Sequence, residues 1–303
     1  MTFCCVFPGQ GSQVVGMAKD LYDNFQQVRE IFKEASEVLG YDVAKMCFQG
    51  PKEDLDKTYI TQPCLLTAEI SAFSVLKMKN IKPSFVAGHS LGEYSALVAS
   101  ESMEFKDAVR ITSLRGSLMQ NAVPEGKGAM CAVLGLDRAK VDALCAETKG
   151  YVASANYNCP GQIVISGEKD AVNEASKKAI ELGAMKAIIL NVSVPSHSLL
   201  MKEMSKEFER HLSEIDIKTP KVAFVNNADA KILIEPDEIR KSLVRQLYSP
   251  VLWEDSINLI CQQTKVFIET GPGKVLSGLI KRINKDTKIY NVDDLNNITT
   301  SDF

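Results

Sequence analysis

The stretch VAGHSLGEYSAL, residues 86–97, joins a short apolar run to a helix-forming one through Gly88-His89-Ser90-Leu91-Gly92. Residues 85–87 read as a buried strand, and the residues after the corner as a helix reaching about residue 99. Gly-x-Ser-x-Gly at such a corner has a physical meaning. The turn is tight and strained, so its flanks must be small, and the strain lifts the Ser90 hydroxyl clear of the backbone. The following helix points its first N–H groups at the same place, which positions the N–H of Leu91 to stabilise an oxyanion. The corner therefore predicts a strand-turn-helix unit that presents Ser90 as a nucleophile.

Outward from this corner, strands and helices alternate. Residues 2–7 read as a strand, 8–13 as a turn, and 22–39 as an amphipathic helix closed by Gly40. Helices are expected at 65–79, closed by Asn80 and Pro83, and at 105–121. The middle of the chain changes character. Residues 128–134 alternate like a strand, and Asp137 caps a helix to about 149. Strands at 151–156 and 162–166 flank a turn at 157–161, a helix spans 168–182 up to Gly183, and a strand spans 186–190. The order βαββαβ is ferredoxin-like. Beyond it come a helix at 199–212, a strand at 221–225, helices at 238–246 and 253–263, a strand at 266–269, a helix at 275–283 and a strand at 289–292. The expected fold class is thus α/β: a large α/β-hydrolase-like domain with a parallel sheet, built from residues 1–124 and 194–303, plus a small inserted ferredoxin-like domain at 125–193. The polar tail after Asp293 reads as loose.

Composition excludes several classes. The chain has 303 residues, a net charge of −3, 45% hydrophobic and 24% charged residues. Nothing in that balance marks a nucleic-acid binder or a membrane-surface protein. No apolar run approaches the ~20 residues of a membrane span. The N-terminus lacks a basic leader and a small-residue cleavage pattern, so a cytoplasmic protein is expected. Eight cysteines without a CxxC read as reduced thiols, and with only three histidines no metal site is expected. Two glycine-rich stretches, at 9–16 and 271–274, match neither G-x-G-x-x-G nor the Walker spacing, so they read as tight turns rather than nucleotide sites.

A serine nucleophile needs a base. His89 adjoins Ser90, and neighbouring side chains in such a turn diverge. His211 lies on a polar helical stretch and reads as solvated. His197, in the strand-to-helix loop Val194-Pro195-Ser196-His197-Ser198, is the candidate that elimination leaves. The hydrolase order Ser…Asp/Glu…His asks for a carboxylate before His197, and none is an obvious orienter. A dyad with some other acceptor on the imidazole fits better than a hydrolase triad.

Six ordered motifs then identify a family resemblance. They are Phe7-Pro8-Gly9-Gln10-Gly11-Ser12-Gln13, Gly88-His89-Ser90-Leu91-Gly92-Glu93-Tyr94, Asn156-Tyr157-Asn158-Cys159-Pro160-Gly161-Gln162, Val194-Pro195-Ser196-His197, Val244-Arg245-Gln246-Leu247-Tyr248-Ser249-Pro250-Val251-Leu252-Trp253 and Glu269-Thr270-Gly271-Pro272-Gly273-Lys274-Val275-Leu276. The chain, from residue 2 to about residue 292, resembles the bacterial malonyl-CoA:acyl-carrier-protein transacylases of fatty acid synthesis. The resemblance implies that Ser90 is acylated, that His197 is its base, and that Gln246 supplies the acceptor orienting His197 through its backbone carbonyl. It implies that Gln10 gives the second oxyanion N–H beside Leu91, and that Arg115 holds the malonyl carboxylate. Helical spacing alone leaves Lys106 and Arg110 as plausible as Arg115. The implied partners are malonyl-CoA as substrate and acyl carrier protein, with no cofactor and no metal, and a monomer is expected. Because carrier proteins in this pathway are acidic, Lys177, Lys178 and Lys186 are candidates for a docking patch, and an ordinary solvated lysine face reads equally well. Three rival readings stand beside this one: a serine thioesterase, a free-standing polyketide-type acyltransferase, and a silent carrier-binding scaffold. The small Ser196 next to His197 gives no obvious steric bar to an α-methyl group, which leaves discrimination between malonyl and methylmalonyl open.

Overall fold

The computed structural model describes residues 2–190 and 194–293; the expected domain boundary at 193 and the expected loose tail lie outside them. The strands are β1 (Cys4–Phe7), β2 (Phe85–Gly88), β3 (Gly128–Leu134), β4 (Val152–Cys159), β5 (Gln162–Glu168), β6 (Lys186–Ile189), β7 (Ala223–Val225), β8 (Ile232–Leu233), β9 (Val266–Thr270) and β10 (Lys288–Val292). One six-stranded sheet runs β10-β9-β1-β2-β7-β8, parallel except for the β7–β8 pair. The parallel strands are covered on both faces, which is why Cys4-Cys5-Val6-Phe7 is continuously apolar rather than alternating. Beneath them the helix Thr58–Met78 is buried along most of its length, as an all-round apolar helix must be.

The second sheet is antiparallel, in the order β4-β5-β3-β6, with helices Arg138–Glu147 and Lys169–Glu181 on one face. Strand order and βαββαβ connectivity together make it ferredoxin-like. Asp137 caps the first helix, its carboxylate accepting from the Lys140 N–H at 2.9 Å. The chain is therefore α/β with a parallel and an antiparallel sheet.

Several elements depart from the sequence reading, each for a local reason. The amphipathic run breaks at Phe25, whose extended backbone (φ −124°) ends helix Lys19–Asn24 and starts helix Gln26–Leu39. The helix expected from 65 begins at Thr58, because burial carries it past Pro63, a residue that normally interrupts a helix. The turn expected over 157–161 shrinks to Pro160-Gly161, with Gly161 at φ 71°. Two register shifts in β4 account for the difference, since they scramble the alternation that marks a strand. Short helices Val43–Gln49 and Lys52–Leu55, and β8, carry too few residues to show a period.

The irregular β4 ties the two sheets together. The Tyr157 N–H donates to the Val251 carbonyl at 2.9 Å, and the Val251 N–H donates to Ala155 at 2.8 Å. Arg138 stacks over the Tyr157 ring and pairs with Asp255 at 2.7 Å. All eight cysteines are free thiols. Among the described residues no helix is long and apolar enough to cross a membrane.

Candidate active site

The corner after β2 is as tight as its sequence implies. Ser90 sits at φ 52°, a left-handed conformation that disfavours any side chain other than hydrogen. A Cβ on Gly88 would lie 1.8 Å from the Gly92 carbonyl carbon, and one on Gly92 would lie 2.1 Å from the Phe7 oxygen. Both positions therefore admit glycine alone. Asn227, just beyond β7, braces the strained turn from outside. Its Oδ1 accepts from the Ser90 N–H at 2.7 Å and its Nδ2–H donates to Gly88 O at 2.6 Å. With the Ser90 N–H so engaged, donors for an oxyanion must come from its neighbours. Leu91 at the start of helix Gly92–Ala99 and Gln10 after β1 both line the cavity beside Ser90.

The structure brings His197 to Ser90. Its Nε2 lies 2.8 Å from Ser90 Oγ, and its Nδ1 lies 2.7 Å from the backbone oxygen of Gln246. A carbonyl can only accept, so Nδ1 carries the proton and the Nε2 lone pair faces the hydroxyl. His197 is itself held at φ 57°, and its own N–H donates to Leu247 O at 3.1 Å. Elsewhere, His89 turns away, with its Nε2 2.8 Å from Asn158 Oδ1 and its ring edge-on to Trp253. His211 is exposed on helix Lys202–Ser213.

Burial first, then the Arg115 charge, pushes His197 down from 6.5 to about 3, so the imidazole is neutral and able to accept a proton. We expect the pH profile of kcat/KM for acylation to show no acid limb near 6.5 and to stay level down to about pH 4–5. An inflection near 6.5 would mean that the ring is not held neutral. The same shift weakens the fold in acid. Between 6.5 and about 3 the unfolded chain takes up a proton that folded His197 refuses, so this contribution falls as pH falls.

Arg115 completes the constellation. On helix Phe105–Asn121 it shares the buried stripe of Ala108, Thr112 and Met119, whereas Lys106 and Arg110 are exposed. Gly116 lets helix Thr58–Met78 approach, since a Cβ there would lie 2.6 Å from Thr58 O. That approach delivers Gln62. Arg115 is 1% exposed; its Nη1 donates to Gln62 Oε1 and its Nη2 to Gln246 Oε1, both at 2.8 Å, and Nη2 also reaches Ser90 Oγ at 3.3 Å. Its Nε–H has no partner. All these acceptors are neutral oxygens, so a buried cation stands beside the nucleophile with donor capacity to spare.

Behind this wall lies a carboxyl that the sequence reading passed over. Glu93 is fully buried, its Oε2 accepting from Gln246 Nε2 at 2.5 Å and its Oε1 from the Asn227 N–H at 3.4 Å. Burial pushes it up to about 8, against the pull of those two donors and of Arg115. Gln62, Asn158 and Asn227 are further site residues not anticipated. A buried side chain in step with an apolar helix face was the available signal for Gln62 and Glu93.

The cavity encloses about 290 Å³ between the two sheets, with Met130, Ala132, Val164 and Leu190 forming an apolar wall opposite Ser90 and Arg115. Among the described residues no cluster of His, Cys, Asp and Glu could hold a metal. An activated hydroxyl, a neutral imidazole and a buried guanidinium in one small cleft suit acyl transfer to serine from an acidic acyl donor.

Residues 4–296 match the family described as acyl transferase domain. The malonyl CoA-acyl carrier protein transacylase of Haemophilus influenzae is 49% identical over 298 residues, covering 97% of this chain and 96% of the relative. The chain belongs to the malonyl CoA-acyl carrier protein transacylases. The Bacillus subtilis transacylase is 47% identical over 95% of this chain and 92% of its own length. Among solved structures, the acyl carrier protein S-malonyltransferase of Vibrio cholerae superposes with a TM-score of 0.96 at 45% identity, covering 99% of each chain. A malonyl-transacylase solved in complex with a type II PKS acyl-carrier protein gives 0.97 at 46% identity, covering 99% of this chain and 98% of that one. This acyltransferase thus shares fold and length with its relatives throughout.

Proposed function

We propose that the chain moves a malonyl group from malonyl-CoA to the phosphopantetheine thiol of acyl carrier protein, through a malonyl ester on Ser90, supplying extender units for fatty acid synthesis. The observation that carries this reading is the Arg115 guanidinium, buried 3.3 Å from Ser90 Oγ and hydrogen-bonded to neutral oxygens. A malonyl thioester offers the carboxylate that such a group lacks; an acetyl thioester does not.

In the first half-reaction His197 Nε2 takes the Ser90 proton as the hydroxyl oxygen attacks the thioester carbonyl. The N–H groups of Leu91 and Gln10 hold the oxyanion. The C–S bond breaks, and the imidazolium returns its proton to the departing coenzyme A thiolate. In the second, His197 takes the proton of the carrier thiol, the sulfur attacks the serine ester, and the proton goes back to Ser90 Oγ as the C–O bond breaks. His197 never needs a carboxylate partner, because the Gln246 carbonyl fixes its tautomer.

The test is a two-substrate rate study with holo acyl carrier protein. Initial-rate plots should give parallel lines, with malonyl appearing on the carrier. Release of malonate to water with none on the carrier would make the chain a thioesterase. For carrier docking, Lys177, Lys178 and Lys186 remain candidates. Lys178 is already paired with Glu174 at 2.7 Å, whereas Lys186 opens the exposed edge strand β6, which leads towards Leu190 at the cavity.

A further inference from the structure

Both polar atoms of the Gln246 side chain are hydrogen-bonded, and both of its N–H groups are used. Its Oε1 accepts from Arg115 Nη2 at 2.8 Å, one Nε2–H donates to Ser90 O at 2.8 Å, and the other donates to Glu93 Oε2 at 2.5 Å. Its backbone oxygen takes His197 Nδ1–H. The amide can face only one way, with its oxygen toward the guanidinium. Glu93 does not line the cavity, and it is fully buried three residues past the nucleophile. Its hydrogen-bonded path to Arg115 runs through that amide, alongside the charge attraction between the two groups.

We propose that Glu93 is a positioning residue for acyl selectivity: by anchoring the Gln246 side chain it holds the Arg115 guanidinium in the orientation that receives an acyl carboxylate. This rests on the reading of Arg115 given above. The indirect arrangement has a chemical reason. A carboxylate in direct contact with Arg115 would occupy the same donors that an acyl carboxylate needs, and would repel it. One amide removed, the acid steadies the arginine and leaves its donors open. The oxygen facing Gln246 can accept whether or not the other carries a proton, so Glu93→Gln, with its one oxygen toward Gln246, keeps that contact and gives up only the long 3.4 Å one from the Asn227 N–H. Glu93→Leu removes the Gln246 contact, and Glu93→Asp withdraws it by one methylene.

The experiment measures kcat and KM for Ser90 acylation with malonyl-CoA and with acetyl-CoA, in wild type and the three variants, alongside thermal unfolding. Glu93→Leu should cut the malonyl-over-acetyl preference roughly tenfold or more, mainly through a higher KM for malonyl-CoA, with acetyl acylation changing less. Glu93→Gln should keep most of the preference. If Glu93→Leu fails to fold, the contrast between Glu93→Gln (preference kept) and Glu93→Asp (preference reduced) decides instead. Variants that lose malonyl and acetyl acylation in proportion would overturn the proposal and leave Glu93 a purely structural group. Loss of preference in Glu93→Gln equal to that in the others would overturn it too. A wild type that does not prefer malonyl-CoA would bring down the reading of Arg115 itself, and this inference with it.

Discussion

Ser90→Ala is expected to lower kcat/KM for malonyl transfer by about 10⁴–10⁶-fold, and His197→Ala by a similar factor. The reason is that the two side chains perform one step. Oγ and Nε2 are 2.8 Å apart, and the serine is unreactive at neutral pH until the imidazole takes its proton. Removing either leaves only the oxyanion donors and substrate binding, which still hold the thioester but have nothing to attack it with. The double variant should therefore be no slower than the worse of the two single ones. Steady-state transfer rates with holo carrier measure all three. Losses that multiply in the double variant would mean that the residues act on separate steps. The glycines flanking the serine should remain in place throughout, because the backbone at Gly88 and Gly92 leaves no room even for alanine.

The second large effect concerns choice of substrate rather than speed alone. Arg115→Ala should lower kcat/KM for malonyl-CoA by about 10²–10³-fold while leaving that for acetyl-CoA within roughly tenfold of wild type. Two charge-assisted hydrogen bonds are lost, and the malonyl carboxylate must then be desolvated in the cleft with no cation to meet it. Acetyl has no carboxylate to strand. Arg115→Lys should fall in between, since an ammonium supplies charge without the planar pair of donors. Competition between the two thioesters, read as the ratio of acyl-enzymes formed, gives the result directly. An unchanged ratio in Arg115→Ala would remove the arginine from substrate recognition.

Much of this was legible in the chain itself because it depends on local sequence. A strand, a strained corner and a helix are written in twelve consecutive residues, and the ferredoxin-like order follows from periodicity and turn residues in sequence. Arg115 was less legible. Only the three-dimensional packing of helix Thr58–Met78 against Gly116 turns a helical arginine inward; helical spacing alone leaves Lys106 and Arg110 as plausible, and the choice rests on the family resemblance. Other parts left no mark at all. The acceptor on His197 is a backbone carbonyl, which any residue possesses, so without the family resemblance nothing at position 246 announces it. Asn227 braces a serine 137 positions away. Glu93 left a faint mark, its step with an apolar helix face, but otherwise looks like any acid in a first helical turn until burial shows where it points.

The central claim is tested most directly by the intact mass of the protein after brief exposure to malonyl-CoA, with wild type and Ser90→Ala side by side. One malonyl adduct on wild type and none on the variant is the predicted result. An adduct that persists in Ser90→Ala, or its absence from wild type, would contradict the account.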